Sequence, residues 1–140
     1  MSSSSTPGLI PSALDARTQA YPVLTASQIN RVLPMGRVRQ FQKGEILFEP
    51  GDTDVPFFVL LSGSMEVVQP DLTGERPIAT HGRGEFTGEM TIISGHRCLV
   101  LGRTTEPGEF LELTGDGLRS LIAKDAGLSE IFMRAFIETA

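Results

Sequence analysis

From Arg37 to Leu113 the chain is interrupted every few residues by a turn signal, and this spacing limits the fold more than any other feature. Lys43-Gly44, Pro50-Gly51-Asp52, Ser62-Gly63 and Glu106-Pro107-Gly108 separate short extended segments. Segments of that length are too short for stable helices but suit strands of about five residues. Arg37 to Gln42 alternates, with Val38, Gln40 and Gln42 on one side and Arg37, Arg39 and Phe41 on the other. Ile46 to Glu49 is a second strand. The apolar run within Pro56–Ser62 reads as a strand buried on both faces. The tight Ser62-Gly63 connection to Met65–Gln69 predicts a hairpin. Pro70 to Pro77 reads as a long exposed turn, followed by short strands at Ile78–Thr80, Cys98–Thr105 and Phe110–Leu113. About eight short strands at this spacing imply a sandwich or jelly roll.

Helical periods flank the strands. Thr25 is an N-cap for a helix through Leu33, with Gln28 at the capping-box position, Ile29, Val32 and Leu33 on one face, and Pro34 closing it. From Thr114 the 3.6-residue period returns. Leu118, Leu121 and Ile122 share a face, Thr114 or Asp116 is the cap, and Gly127 is the expected stop. A last helix opening at Leu128-Ser129 carries a stripe of Leu128, Ile131, Phe132, Ala135 and Phe136. Its apolar character persists at Ile137, which suggests continuation in a longer parent or pairing with a second copy. Residues 1–14, rich in Ser, Pro and Gly, read as a disordered lead, and 15–140 as one domain.

The chemistry concentrates between Gly82 and Val100. Glycines at 82, 84 and 88 permit close backbone approach and positive φ. Amides at the start of a short helix attract an anion, and an arginine a few residues later can hold it through two hydrogen bonds. Arg97 is placed for this, while Glu89 can accept from a sugar hydroxyl. The pattern fits a pocket for a small phosphorylated, hydroxylated ligand. The alternatives are plainer: Glu89 as a helix N-terminal carboxylate favoured by the dipole, and Arg97 as a surface arginine paired with Glu89 or Asp71.

Other classes find little support. The net charge of −5 argues against a nucleic-acid partner. No apolar run is long enough to span a bilayer, and the N-terminus lacks the basic and apolar regions of a secretory signal, so the expected location is the cytoplasm. Cys98 is the only cysteine, which leaves no internal disulfide; it is expected to face the barrel interior. His81 and His96 read as exposed loop histidines and do not supply a metal set. Met65, Met90 and Met133 read as core or pocket lining, and Glu106, Glu109 and Glu112 as solvated. No residue set supports catalysis, so the chain is not expected to be an enzyme.

Residues Phe41–Asp52, Phe57–Val67 and Phe86–Met90 resemble the cyclic nucleotide-binding domain family, with spaced glycines at 44, 51, 63, 84 and 88. The resemblance covers roughly residues 25–137. It implies a mainly β fold: an eight-stranded antiparallel double-stranded β-helix, or jelly roll, with one N-terminal and two C-terminal helices. It implies a regulatory, non-catalytic role in which cyclic AMP or a related nucleotide is the ligand and no cofactor is held. Gly88 and Glu89 match the family's Gly-Glu, the glutamate accepting from the ribose 2′-hydroxyl. Amides around Glu89 and Met90, with Arg97, would hold the phosphate, and Cys98 and Leu99 follow at the positions of two small residues. Here the spacing is one residue short, His96 replaces a proline, and Leu99 is large enough to crowd the ligand. Residues 86–103 and 128–137 further resemble bacterial proteins in which such a domain precedes a thioredoxin-reductase-like flavoprotein. That likeness implies a sensor fragment with a downstream catalytic partner. A second, competing implication is a degenerate domain that binds no nucleotide and serves in homodimerisation or interdomain contact.

Overall fold

The computed structural model describes residues 22–139. The expected disordered lead, 1–14, and the start of the 15–140 domain lie outside the described residues. In chain order the elements are α1 (Ala26–Val32), a 3-10 turn (Leu33–Met35), β1 (Arg37–Phe41), β2 (Ile46–Phe48), β3 (Phe57–Leu60), β4 (Ser64–Asp71), β5 (Gly74–His81), β6 (Phe86–Thr87), α2 (Glu89–Ser94), β7 (Leu101–Glu106), β8 (Gly108–Leu113), α3 (Gly115–Lys124) and α4 (Ala126–Thr139). The strands form two four-stranded antiparallel sheets, ordered β1-β8-β3-β6 and β2-β7-β4-β5. This is the mainly β roll with helices at both ends that the sequence implied.

The sheets explain two corrections. β3 and β4 do not pair as a hairpin: Ser62-Gly63 carries the chain from one sheet to the other. The β7–β8 connection makes the reverse crossing at the same corner. A Cβ on Gly108 would strike the Ser62 carbonyl oxygen, and one on Gly63 would come 2.6 Å from that of Pro107. The long turn expected at Pro70–Pro77 is instead the end of a ribbon. β4 and β5 run to Asp71 and Gly74, with Leu72-Thr73 as a two-residue tip. Asp71 Oδ1 accepts from the Thr73 amide at 2.8 Å and the Thr73 hydroxyl at 2.7 Å, which lowers the Asp71 carboxyl below the usual range. Both prolines are tolerated because they are exposed, Pro77 lying on an edge strand.

The two faces of β3 feed two cores. Phe57 and Val59 join a cluster under the helices with Leu111, Leu118, Leu128 and Phe132. Phe58 and Leu60 point between the sheets, with Phe41, Met65, Cys98 and Phe110. Residues packed on both faces account for the continuous apolar run. Phe57, Phe86 and Phe132 form a triad with centroids 5.1–5.6 Å apart. β1 departs from its expected alternation: only Phe41 is buried, and Arg39 lies over its ring at 5.0 Å.

The helix ends follow local chemistry. Thr25 and Gln28 form the capping box. Pro34 does not simply close α1 but sits inside the 3-10 turn. Thr114 caps α3 by accepting from the Gly117 amide. Gly127 lies within α4 and does not stop α3. Asp125 ends α3, and its Oδ1 accepts the Leu128 amide at 3.0 Å, which caps the next helix at once. Asp125 also accepts from Arg31 Nε at 2.9 Å. Glu112, expected to be solvated, is half-buried and accepts from Arg37 and Arg39. Met133, expected to be packed, is exposed.

Candidate ligand-binding site

Residues 82–100 are positioned by contacts at both ends. Gly84 donates to the Leu60 carbonyl and accepts from Leu24, each at 2.8 Å; its φ is positive, and an added Cβ would come 2.8 Å from Val23 Cγ1. β6 pairs with β3 through Phe58 opposite Thr87 and Val59 opposite Phe86. Gly88 then turns with φ 104, and a Cβ there would strike the Pro56 carbonyl oxygen. Close approach and positive φ therefore both require glycine at this point. Having no side chain, Gly88 offers no side-chain cap to the first turn of α2. The helix ends at Gly95, φ 73, whose amide donates to Thr91.

The return strand begins at Leu101, three residues later than the expected Cys98. Cys98 is instead clamped to the Pro50–Asp52 turn: its amide donates to the Asp52 carbonyl and its carbonyl accepts from Gly51, both at 2.8 Å. As expected, its side chain faces inward, 3% exposed, and burial pushes the thiol above its ordinary value. Between the anchors at Gly95 and Cys98, Arg97 is exposed. Among the described residues it makes no ion pair with Asp71, which is engaged by Thr73. Leu99 is 70% exposed, so its bulk stands at the rim, and its carbonyl accepts from Gln69 Nε2 at 2.9 Å.

These residues border a cavity of about 540 Å³. Gly88, Glu89, Met90, Arg97, Cys98 and Leu99, all read as site residues from sequence, line it together. Its far wall is the β4–β5 sheet, through Val67, Gln69 and Ile78, with Phe48 and Val100 also lining it. Phe136 of α4 also reaches the cavity, whereas Phe132, its neighbour on the stripe, is buried in the core. Glu89 is 3% exposed. A carboxylate at the first position of a helix benefits from the dipole, but here it also faces a cavity. The site thus combines mainly apolar walls, a buried carboxylate and an exposed guanidinium. It can take a small ligand with an apolar body, a hydroxyl and one negative group.

Two further polar residues at the cavity, His81 and Glu85, were not read as site residues. His81 was expected on an exposed loop, yet it is 8% exposed and its Nδ1 lies 2.8 Å from Glu85 Oε1. The His–Glu spacing of four was legible, but across a strand end and a turn it carries no periodic signal. No group of histidine, cysteine and carboxylate side chains among the described residues could hold a metal. A larger cavity, about 800 Å³, lies on the other side of α2, and Val55 and Thr91 border both. Its arginines are already matched by carboxylates, Arg37 by Glu112 and Arg119 by Asp116. The smaller cavity, bordered by both Glu89 and Arg97, is therefore the candidate site.

A family model for the cyclic nucleotide-binding domain matches residues 38–125. The chain belongs to the cyclic nucleotide-binding domain family. It is similar to the CRP-like protein Clp of Xanthomonas campestris, 31% identical over 106 residues, 73% of this chain and 46% of that one. It is also similar to a Rhodopseudomonas palustris protein named for a potassium channel, 26% identical over 115 residues, 81% of this chain and 27% of that one. Among solved structures, the Thermus thermophilus catabolite activator protein superposes with a TM-score of 0.68 at 23% identity, covering 91% of this chain and 60% of that one. This last likeness concerns fold alone. The chain spans less than half the length of these two curated relatives. No described helix is long and apolar enough to cross a membrane.

Proposed function

We propose that the chain is a non-catalytic sensor domain that binds one cyclic nucleotide in the cavity between α2, residues 95–100, the β4–β5 sheet and α4. Gly88 and the first-turn amides, with Met90, would receive the phosphate together with Arg97. Glu89 would accept from the sugar hydroxyl, and Cys98 and Leu99 would flank the ligand. The observation that carries this reading is that a buried Glu89 and an exposed Arg97 border one cavity in a member of this family. Calorimetry tests it: cyclic AMP or cyclic GMP should give saturable heat, lost in Glu89→Ala and Arg97→Ala. No heat with either at millimolar concentration removes the reading. Cyclic di-GMP belongs in the same series, because Clp is described as responsive to it.

Occupancy would be passed on through α4, whose Phe136 reaches the cavity, to a neighbouring domain or a second copy. The downstream partner we favour is a thioredoxin-reductase-like flavoprotein. It rests on residues 86–103 and 128–137 alone, and flavin absorbance of the longer parent protein reads it directly. Nucleic acid is not a proposed partner of these residues, given the net charge of −5. The cytoplasm remains the proposed location.

The second reading is a domain that has lost its ligand and acts in dimerisation. The exposed Leu99 and Ile137 favour it. Light scattering that gives a monomer at every concentration counts against it.

A further inference from the structure

With a phosphate and a sugar assigned to α2 and Arg97, the base of the ligand is left to the rest of the cavity. Apolar walls cover the faces of a purine but cannot satisfy its polar edge, and a shielded polar edge without a partner is costly. The far wall offers one group suited to that edge. Gln69 of β4 is half-buried and lines the cavity, whereas Val67, Ile78 and Ala79 of the same wall are apolar. It is the single amide side chain among the described lining residues.

That amide has a direction. Its Nε2 donates to the Leu99 carbonyl at 2.9 Å. A carbonyl oxygen only accepts, so the amide cannot turn over without setting two oxygens against each other. Its side chain makes no other hydrogen bond among the described residues. One N–H is thus spent on the rim of the cavity, and Oε1 and the second N–H remain for a ligand. The serine and threonine hydroxyls that line the same space can either donate or accept, and so impose no such direction.

We infer that Gln69 is a specificity-determining residue of this cavity, an amide locked by the Leu99 carbonyl that reads the edge of a bound purine and favours a 6-amino group over a 6-oxo group. The inference rests on the cyclic-nucleotide reading above. Oε1 accepts from the 6-amino group and the free N–H donates to the neighbouring ring nitrogen, the pairing that amide side chains make with adenine. Hypoxanthine carries an oxygen at position 6 and sets a second acceptor against Oε1. With its phosphate and sugar held at the other end, the purine cannot be reversed to match.

Calorimetry of the full chain with the 3′,5′-cyclic phosphates of adenosine, inosine and purine riboside tests it. The three ligands share phosphate and ribose and differ only in the edge of the base. The native protein should bind the adenosine compound roughly tenfold more tightly than the inosine compound, with purine riboside, which has no group at position 6, between them. Gln69→Met keeps the length of the side chain without the amide, and should bring the three affinities to within about twofold of one another. If Gln69 merely tethered the rim, Gln69→Met would weaken all three alike and keep their ratios, and that result would overturn the inference. So would equal affinities in the native protein, or a preference for the inosine compound. The native comparison decides even where Gln69→Met fails to fold. Heat without preference removes this inference alone; absence of heat with all three at millimolar concentration removes the cyclic-nucleotide reading along with it.

Discussion

Two regions of this molecule depend on glycine for opposite ends. At the corner where Gly63 and Gly108 pass each other, backbone lies on backbone. The Ser62 and Pro107 carbonyls occupy the places where side chains would begin, and Leu61 and Ser62 both donate to the Glu109 carbonyl. From Gly88 to Val100 only the first glycine is confined. Gly95 has nothing within 4 Å of an added Cβ, and His96, Arg97 and Leu99 are exposed. The first region closes the roll and leaves no room for anything else. The second is fixed at Gly88 and Cys98 and otherwise left open. The comparison teaches that backbone closure and cavity lining are carried by separate stretches of one fold.

Substitutions can break or sharpen this contrast. The largest effect is expected at the corner: Gly108→Ala should cost roughly 3 kcal/mol or more in denaturant unfolding, because backbone must move. Phe132→Ala, which removes the ring between Phe57 and Phe86, should cost about 3–5 kcal/mol, whereas Phe136→Ala should mainly weaken nucleotide binding. Gly95→Ala should cost only about 1 kcal/mol, since φ is strained but the space is open. Arg97→Ala should leave stability within about 0.5 kcal/mol while abolishing the heat of binding. A stability loss at Arg97 as large as that at Gly108 would dissolve the distinction.

The smallest effect concerns pH and lies far from the cavity. The hydrogen bond from Arg31, then that from the Leu128 amide, holds the Asp125 carboxyl below its ordinary range. Its contribution is therefore present above the usual carboxylate pKa and is lost as pH falls through the lowered one. Asp125→Asn should flatten the acid limb of the stability profile slightly, as expected of an exposed pair.

Much of this arrangement was legible in the residues, and the failures share a cause. The Thr25–Gln28 box, the doubly buried Phe57–Leu60 run and the Gly88–Glu89 turn are each fixed by neighbours in sequence, and each appears as read. Ser62-Gly63 was misread because a tight turn shows that the chain reverses, not which sheet receives it. Gly127 was misread because Asp125, two residues earlier, both ends α3 and caps α4. Pro70 and Pro77 interrupt a strand pattern only if their amides are needed, and here they are not. The burial of His81 escaped notice because its neighbours come from β4, where Met65 lies opposite, and from Glu85 beyond the turn. The cavity residues 88–90 and 97–99 could be named from sequence, but their shared wall with Phe136 could not.

The shared corner also bears on how fast the chain can reach this structure. The Glu109 amide finds the Ser62 hydroxyl across 47 positions, and Arg37 meets Glu112 across 75. Contacts so distant along the chain must overcome loop-closure entropy before they return any energy. Refolding in stopped flow should accordingly fall in the millisecond-to-second range of other β-rich domains, with the roll sealing late.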